Sequence, residues 1–176
     1  MVATVLLNEW NGPTATPVQT NKTSNTVRFK NAENATVDTA DRLIIPSTNR
    51  EYSYEKWLRL EITVAPTVDI DNLRGYSDGA NNWGAGIKGW YALDGTYSVP
   101  VIPTETLDPP QHDAVAMTDF FTATSGAAAD MDAINTGPFT AIADIGDWFI
   151  LVMEVETTAT QGQTSQETVT VAFDET

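Results

Sequence analysis

Apolar and polar residues alternate along several stretches of this chain. Leu58, Leu60, Ile62 and Val64 alternate with Arg59, Glu61 and Thr63, so four apolar side chains share one face of an extended strand. Val169, Val171 and Phe173 alternate with Thr168, Thr170 and Ala172 in the same way. The run Trp148-Phe149-Ile150-Leu151-Val152-Met153-Glu154-Val155 is apolar on both faces at first and alternates later. That is the pattern of a central strand covered on both sides. Further strands are expected at 2–7, 26–30, 42–45, 73–76, 87–93 and 139–143, several of them β-branched or aromatic.

Turn signals separate most of these segments: Asn11-Gly12-Pro13, Asp78-Gly79, Asp94-Gly95, Gly137-Pro138 and Ile145-Gly146-Asp147. Helix is scarce. One short helix is expected at 127–134, two turns at most. Segments 8–25 and 100–114 read as long loops, the second holding Pro103, Pro109 and Pro110. Segment 157–166 reads as an exposed hairpin loop between two core strands. The expected fold class is all-β: an antiparallel β-sandwich, jelly-roll-like, with long loops and at most one short helix.

Composition narrows the functional classes. The chain has 176 residues, 41% of them apolar, which suits one sandwich domain spanning 1–176. It carries 24 acidic residues against 9 basic ones, a formal net charge of −15. A surface this negative repels phosphate backbones and anionic lipid heads, so no nucleic acid and no membrane is an expected partner. No cysteine is present, which excludes disulfides, thiolate zinc sites and a cysteine nucleophile. No stretch approaches the roughly 20 apolar residues that span a bilayer. The first ten residues lack the basic n-region and apolar core of a signal peptide, so synthesis in the cytoplasm is expected.

Little here points to catalysis, and neither an enzyme nor a cofactor is expected. The one histidine, His112, lies beside Asp113 in the proline-rich loop and reads as a solvated side chain. No Gly-x-Ser-x-Gly elbow accompanies it. A zinc site built on several histidines is excluded by the count. Gly84-Ala85-Gly86-Ile87-Lys88-Gly89 spells the dinucleotide fingerprint, but a polar loop precedes it and no helix follows. It reads as a glycine-rich loop entering a strand. Asp69, Asp71 and Asp78, with Asn72, Asn81 and Asn82 nearby, are candidates for a structural calcium ion, off the EF-hand spacing. Asp144 and Asp147 form a second acidic pair. Trp57 and Trp148 belong to strand patterns. Trp10 and Trp83, with Pro109 and Pro110, are the candidates for protein contact. Trp83, in a Gly/Asn loop, is equally placed to stack on a sugar.

The strings Tyr52-Ser53-Tyr54-Glu55-Lys56-Trp57-Leu58-Arg59-Leu60, Asn72-Leu73-Arg74-Gly75-Tyr76-Ser77-Asp78-Gly79-Ala80, Gly137-Pro138-Phe139 and Asp144-Ile145-Gly146-Asp147 resemble a family of small tailed-bacteriophage virion proteins. The resemblance runs from Glu9 to Glu175. It implies a non-enzymatic structural protein of the particle, made in the host cytoplasm and located in the virion. A capsid cement or decoration protein on the outside of the head is the leading expectation, as a homo-oligomer bound to the major capsid protein or other virion proteins. A tail or baseplate component is the alternative within the particle. No ligand or catalytic residue follows from the resemblance. An acidic chain suits the outside of a shell, away from packaged DNA, and a cysteine-free one is indifferent to the redox change at lysis. A carbohydrate-binding β-sandwich module is the alternative of a different class.

Overall fold

The strictly alternating segments become the long strands of the fold. The computed structural model describes residues 2–162 and 164–176; Met1, and Gln163 within the expected loop 157–166, lie outside the described residues. In chain order the strands are β1 (Thr4–Asn11), β2 (Val18–Asn21), β3 (Arg50–Tyr52), β4 (Lys56–Val64), β5 (Ile70–Tyr76) and β6 (Ile87–Asp94). There follow β7 (Gln111–His112), β8 (Val115–Ala116), β9 (Thr118–Asp119), β10 (Ala129–Asp130), β11 (Ala143–Glu156) and β12 (Thr170–Glu175).

A large antiparallel sheet runs β2-β1-β4-β11-β6-β9. Its centre is β11, paired along one edge by β6 and along the other first by β4 and then, beyond Leu151, by β3. A three-stranded sheet, β10-β5-β12, covers one face. Leu58, Leu60 and Ile62 of β4 and Phe149 and Leu151 of β11 meet Ile70 and Leu73 of β5 there, with Val171 and Phe173 of β12 packed alongside. Neighbouring residues on the same strands, Trp57, Trp148, Ile150 and Val152, point the other way. They pack with Tyr52 and Met117. The chain is therefore all-β and antiparallel, with unequal layers and a large sheet buried on both faces.

The expected turn at Ile145-Gly146-Asp147 is a bulge inside β11. Ile145 pairs with Leu60 and Phe149 with Leu58, so extra residues are looped out of the ladder. Gly146 sits at φ +68°, where an added Cβ would lie 2.6 Å from the Met131 carbonyl oxygen and overlap Leu73. Only glycine fits.

Several expected elements differ. The helix at 127–134 is absent, and β10 occupies its centre, pairing Ala129 with Gly75 and Asp130 with Arg74. Ala129 and Met131 are buried while Asp130 is exposed, which is a period of two. An isolated eight-residue helix cannot offset its nucleation cost, whereas the free edge of β5 offers ladder bonds. Among the described residues the helical turn is a 3-10 one, Phe120–Thr122, capped by the Asp119 carboxylate accepting from the Phe121 N–H. The first strand starts at Thr4 and runs to Asn11, beyond the expected 2–7. The expected loop 8–25 instead contains a hairpin that pairs Asn8 with Asn21 and Asn11 with Val18. Segments 26–30 and 42–45 are irregular, and within 139–142 only Phe139 bridges, to Ile70. The connection 157–166 leads from the large sheet to the small one, so it crosses between layers and closes no hairpin. The glycine-rich loop at 84–86 does enter a strand, β6.

Candidate functional site

The irregular segment between β2 and β3 is held by buried charge. Glu9 of β1 is fully buried and forms ion pairs of 3.3 Å with both Lys22 and Lys56. Lys22 Nζ also donates to the carbonyls of Thr26 (3.0 Å) and Ala35 (2.9 Å), and Lys56 Nζ to that of Asn34 (2.8 Å). Lys30, equally buried, donates to the Thr36 carbonyl and to Asp38 Oδ1 (3.0 Å). An ammonium has three donors and no acceptor, so each lysine can gather several backbone carbonyls that no ladder satisfies. Burial pulls the Lys56 ammonium below its usual range against the attraction of Glu9. The hydrogen bond from Lys30 holds the Asp38 carboxyl below the usual carboxylate range. Buried charges are tolerated only when paired in this way.

The second irregular segment, from β6 to β7, covers the aromatic face of the large sheet. Trp10, Trp57, Tyr97 and Trp148 pack edge-to-face or tilted at centroid separations of 5.1–6.1 Å. His112, expected as a solvated side chain, is buried against Trp57 at 5.2 Å. Its Nδ1 lies 2.8 Å from Glu55 Oε1 and its Nε2 lies 3.1 Å from Asp94 Oδ2. Glu55 Oε2 accepts from the Trp57 indole (3.0 Å) and the Val101 N–H (3.3 Å). Burial opposes charging of the imidazole, but the hydrogen bond and charge of Glu55, joined by Asp94, prevail, and its pKa is raised to about 9.

Both irregular segments converge on residues 50–56. Tyr54 N–H donates to the Lys30 carbonyl and Glu55 N–H to that of Val101. Ile44 N–H donates to Glu51, and Tyr52 Oη to the Leu107 carbonyl. From this shared base they display aliphatic side chains. Of twelve exposed large hydrophobics among the described residues, six lie here: Val37, Ile44, Ile45, Val99, Val101 and Ile102. Ile44 and Ile45 also line a cleft of about 1080 Å³ with Lys22, Arg28, Arg42 and Trp83.

The residues singled out in the sequence separate. Trp10 is half-buried within the aromatic cluster, and Trp83 stands edge-on to Phe29 and Phe121 in the cleft. Pro109 is half-buried after a cis bond, and Pro110 is buried, its carbonyl accepting from Met117 N–H. Of the calcium candidates, Asp69 accepts from Thr176 Oγ1, Asp71 lies on β5 opposite Asp174, and exposed Asp78 accepts from Ala80 N–H. They form no common group. Among the described residues the one acid and histidine cluster close enough to share an ion is Asp94, His112 and Asp113. Asp147 is buried and accepts from the N–H groups of Ile134 and Asn135. Glu9, Lys22, Lys56 and Glu55, which organise both segments, carry no local signal in the sequence. Comparison with protein-family models, with curated proteins and with solved structures gives no match.

Proposed function

We propose that this chain is a non-catalytic structural protein of a tailed-phage particle, docked on the outside of the head as a cement or decoration protein. The observation that carries it is the pair of irregular segments, 22–49 and 95–110, pinned to a rigid sheet by buried charge while presenting exposed aliphatic side chains. Ordered loops of this kind lose little conformational freedom on docking, which favours binding. Stable contacts with the major capsid protein require about 1,000 Å² or more in total, so a homo-oligomer spanning neighbouring capsomers would multiply the contact. The resemblance of the strings at 52–60 and 72–80 to phage virion proteins supports the particle. The net charge of −15 supports the outer surface over any DNA-facing one.

Because the assembled lattice alone offers the site, binding stabilises the shell by mass action. Particles depleted of this protein should keep their geometry and lose heat resistance; unchanged resistance would exclude a cement role. Imaging of labelled particles separates head from tail. A carbohydrate-binding role is less well supported, since none of the five tryptophans is exposed and stacking on a sugar needs an open aromatic face.

A further inference from the structure

We propose that His112, Asp94 and Asp113 form a binding site for a divalent transition-metal ion of the zinc type, with Glu55 holding the imidazole from behind. This site stands independently of where the protein sits in a particle.

The geometry supplies both halves of such a site. Glu55 is fully buried and its second oxygen is engaged by Trp57 and Val101, so its first oxygen fixes the His112 ring through Nδ1. That leaves Nε2 facing the carboxylates. A buried carboxylate behind a ligating histidine is the usual outer partner of zinc, because it sets the tautomer and raises ligand basicity. In front, Nε2 is 3.1 Å from Asp94 Oδ2 and 4.0 Å from Asp113 Oδ2. A tetrahedral ion with bonds of about 2.0–2.1 Å separates its ligand atoms by about 3.3 Å. The two spacings from Nε2 bracket that edge, and the three ligand atoms all lie within 4.8 Å of one another.

Nε2 and Asp94 Oδ2 are close enough to share either a proton or a metal ion, and the metal would take the proton's place. Asp113 adds a second carboxylate on the same side. It sits at the tip of the β7–β8 turn with φ +46°, is 75% exposed, and its side chain makes no hydrogen bond among the described residues. An imidazole with two carboxylates suits zinc, cobalt or nickel over calcium, which takes six to eight oxygens. Three protein ligands leave a fourth position for water or for a partner's side chain.

The chain contains one histidine, so its ring nitrogens are read without ambiguity. Full-length protein stripped with chelator should bind one equivalent of ZnCl2 by calorimetry, and CoCl2 should give tetrahedral d–d absorption. The Nε2 resonance should move to a metal-bound position. Asp113→Asn should weaken binding about tenfold or more while leaving the metal-free Tm unchanged, and Asp94→Asn should weaken it likewise. An imidazole spectrum indifferent to excess zinc would leave the proton as sole occupant and overturn the proposal. Zinc binding untouched by both aspartate variants would overturn it equally.

Discussion

The large sheet is covered by two different means. On one face, β5, β10 and β12 pack apolar side chains such as Leu73 and Phe173 onto Leu60 and Phe149. On the other, segment 95–110 is held through Glu55 and His112, with aromatic rings filling the gaps; segment 22–49, held through Glu9, Lys22 and Lys56, continues the cover of the first face, where Val27 and Phe29 join its core. A strand satisfies its own backbone by pairing, so its cover can be purely apolar. An irregular segment cannot, and buried ammonium and carboxylate groups do that work for it. The strand cover yields a stable platform; the irregular cover yields exposed segments on both faces.

The largest expected effect tests the apolar face. Phe149→Ala removes a fully buried ring from the inter-sheet core and should cost about 3–5 kcal/mol in urea denaturation. The loss should appear as earlier cooperative unfolding of both sheets together.

Lys22→Met should cost less, about 1–3 kcal/mol. Glu9 keeps Lys56, but the carbonyls of Thr26 and Ala35 lose their donor. Amide exchange should quicken in the irregular segment and stay slow in β4 and β11. Equal loss of protection in β11 would show that the two regions are one cooperative unit.

Glu51→Gln sharpens the comparison by pH. Burial raises the Glu51 carboxyl above its usual range, with repulsion from Glu105 adding to it. A folded-state pKa above the unfolded value means stability present at low pH and lost as pH rises through the folded value. The glutamine variant, whose amide oxygen can still accept from Ile44, should therefore gain on the parent between about pH 4 and 7. A difference that stays constant over that range would remove the buried-charge account of this contact. The smallest stability effect belongs to the pair Ile44→Asp and Ile45→Asp, within about 0.5 kcal/mol. Binding to particles should nonetheless fall sharply, measured by co-sedimentation.

What was legible in the sequence follows this same division. The 58–64, 148–155 and 169–173 patterns located β4, β11 and β12, because burial of one or both faces is written in residue order with a period of two. Segment 127–134 misled, since alanine-rich composition suggested helix while the burial of Ala129 and Met131 obeyed the strand period. Segment 8–25 misled the opposite way. Its Asn and Thr residues read as loop, yet β1 and β2 pair through them at the sheet edge.

By itself, the order of residues determined the all-β class, the central double-faced strand and the acidic surface. These rest on local period and on charge count, which need no knowledge of what lies opposite. The site was decided by tertiary structure alone. Glu55 meets His112 across 57 positions and Glu9 meets Lys56 across 47, so nothing in either neighbourhood announces the partner. His112 read alone was a surface side chain. Folding removed the water and put carboxylates at both its nitrogens, and that is what turned a lone histidine into a chemical site.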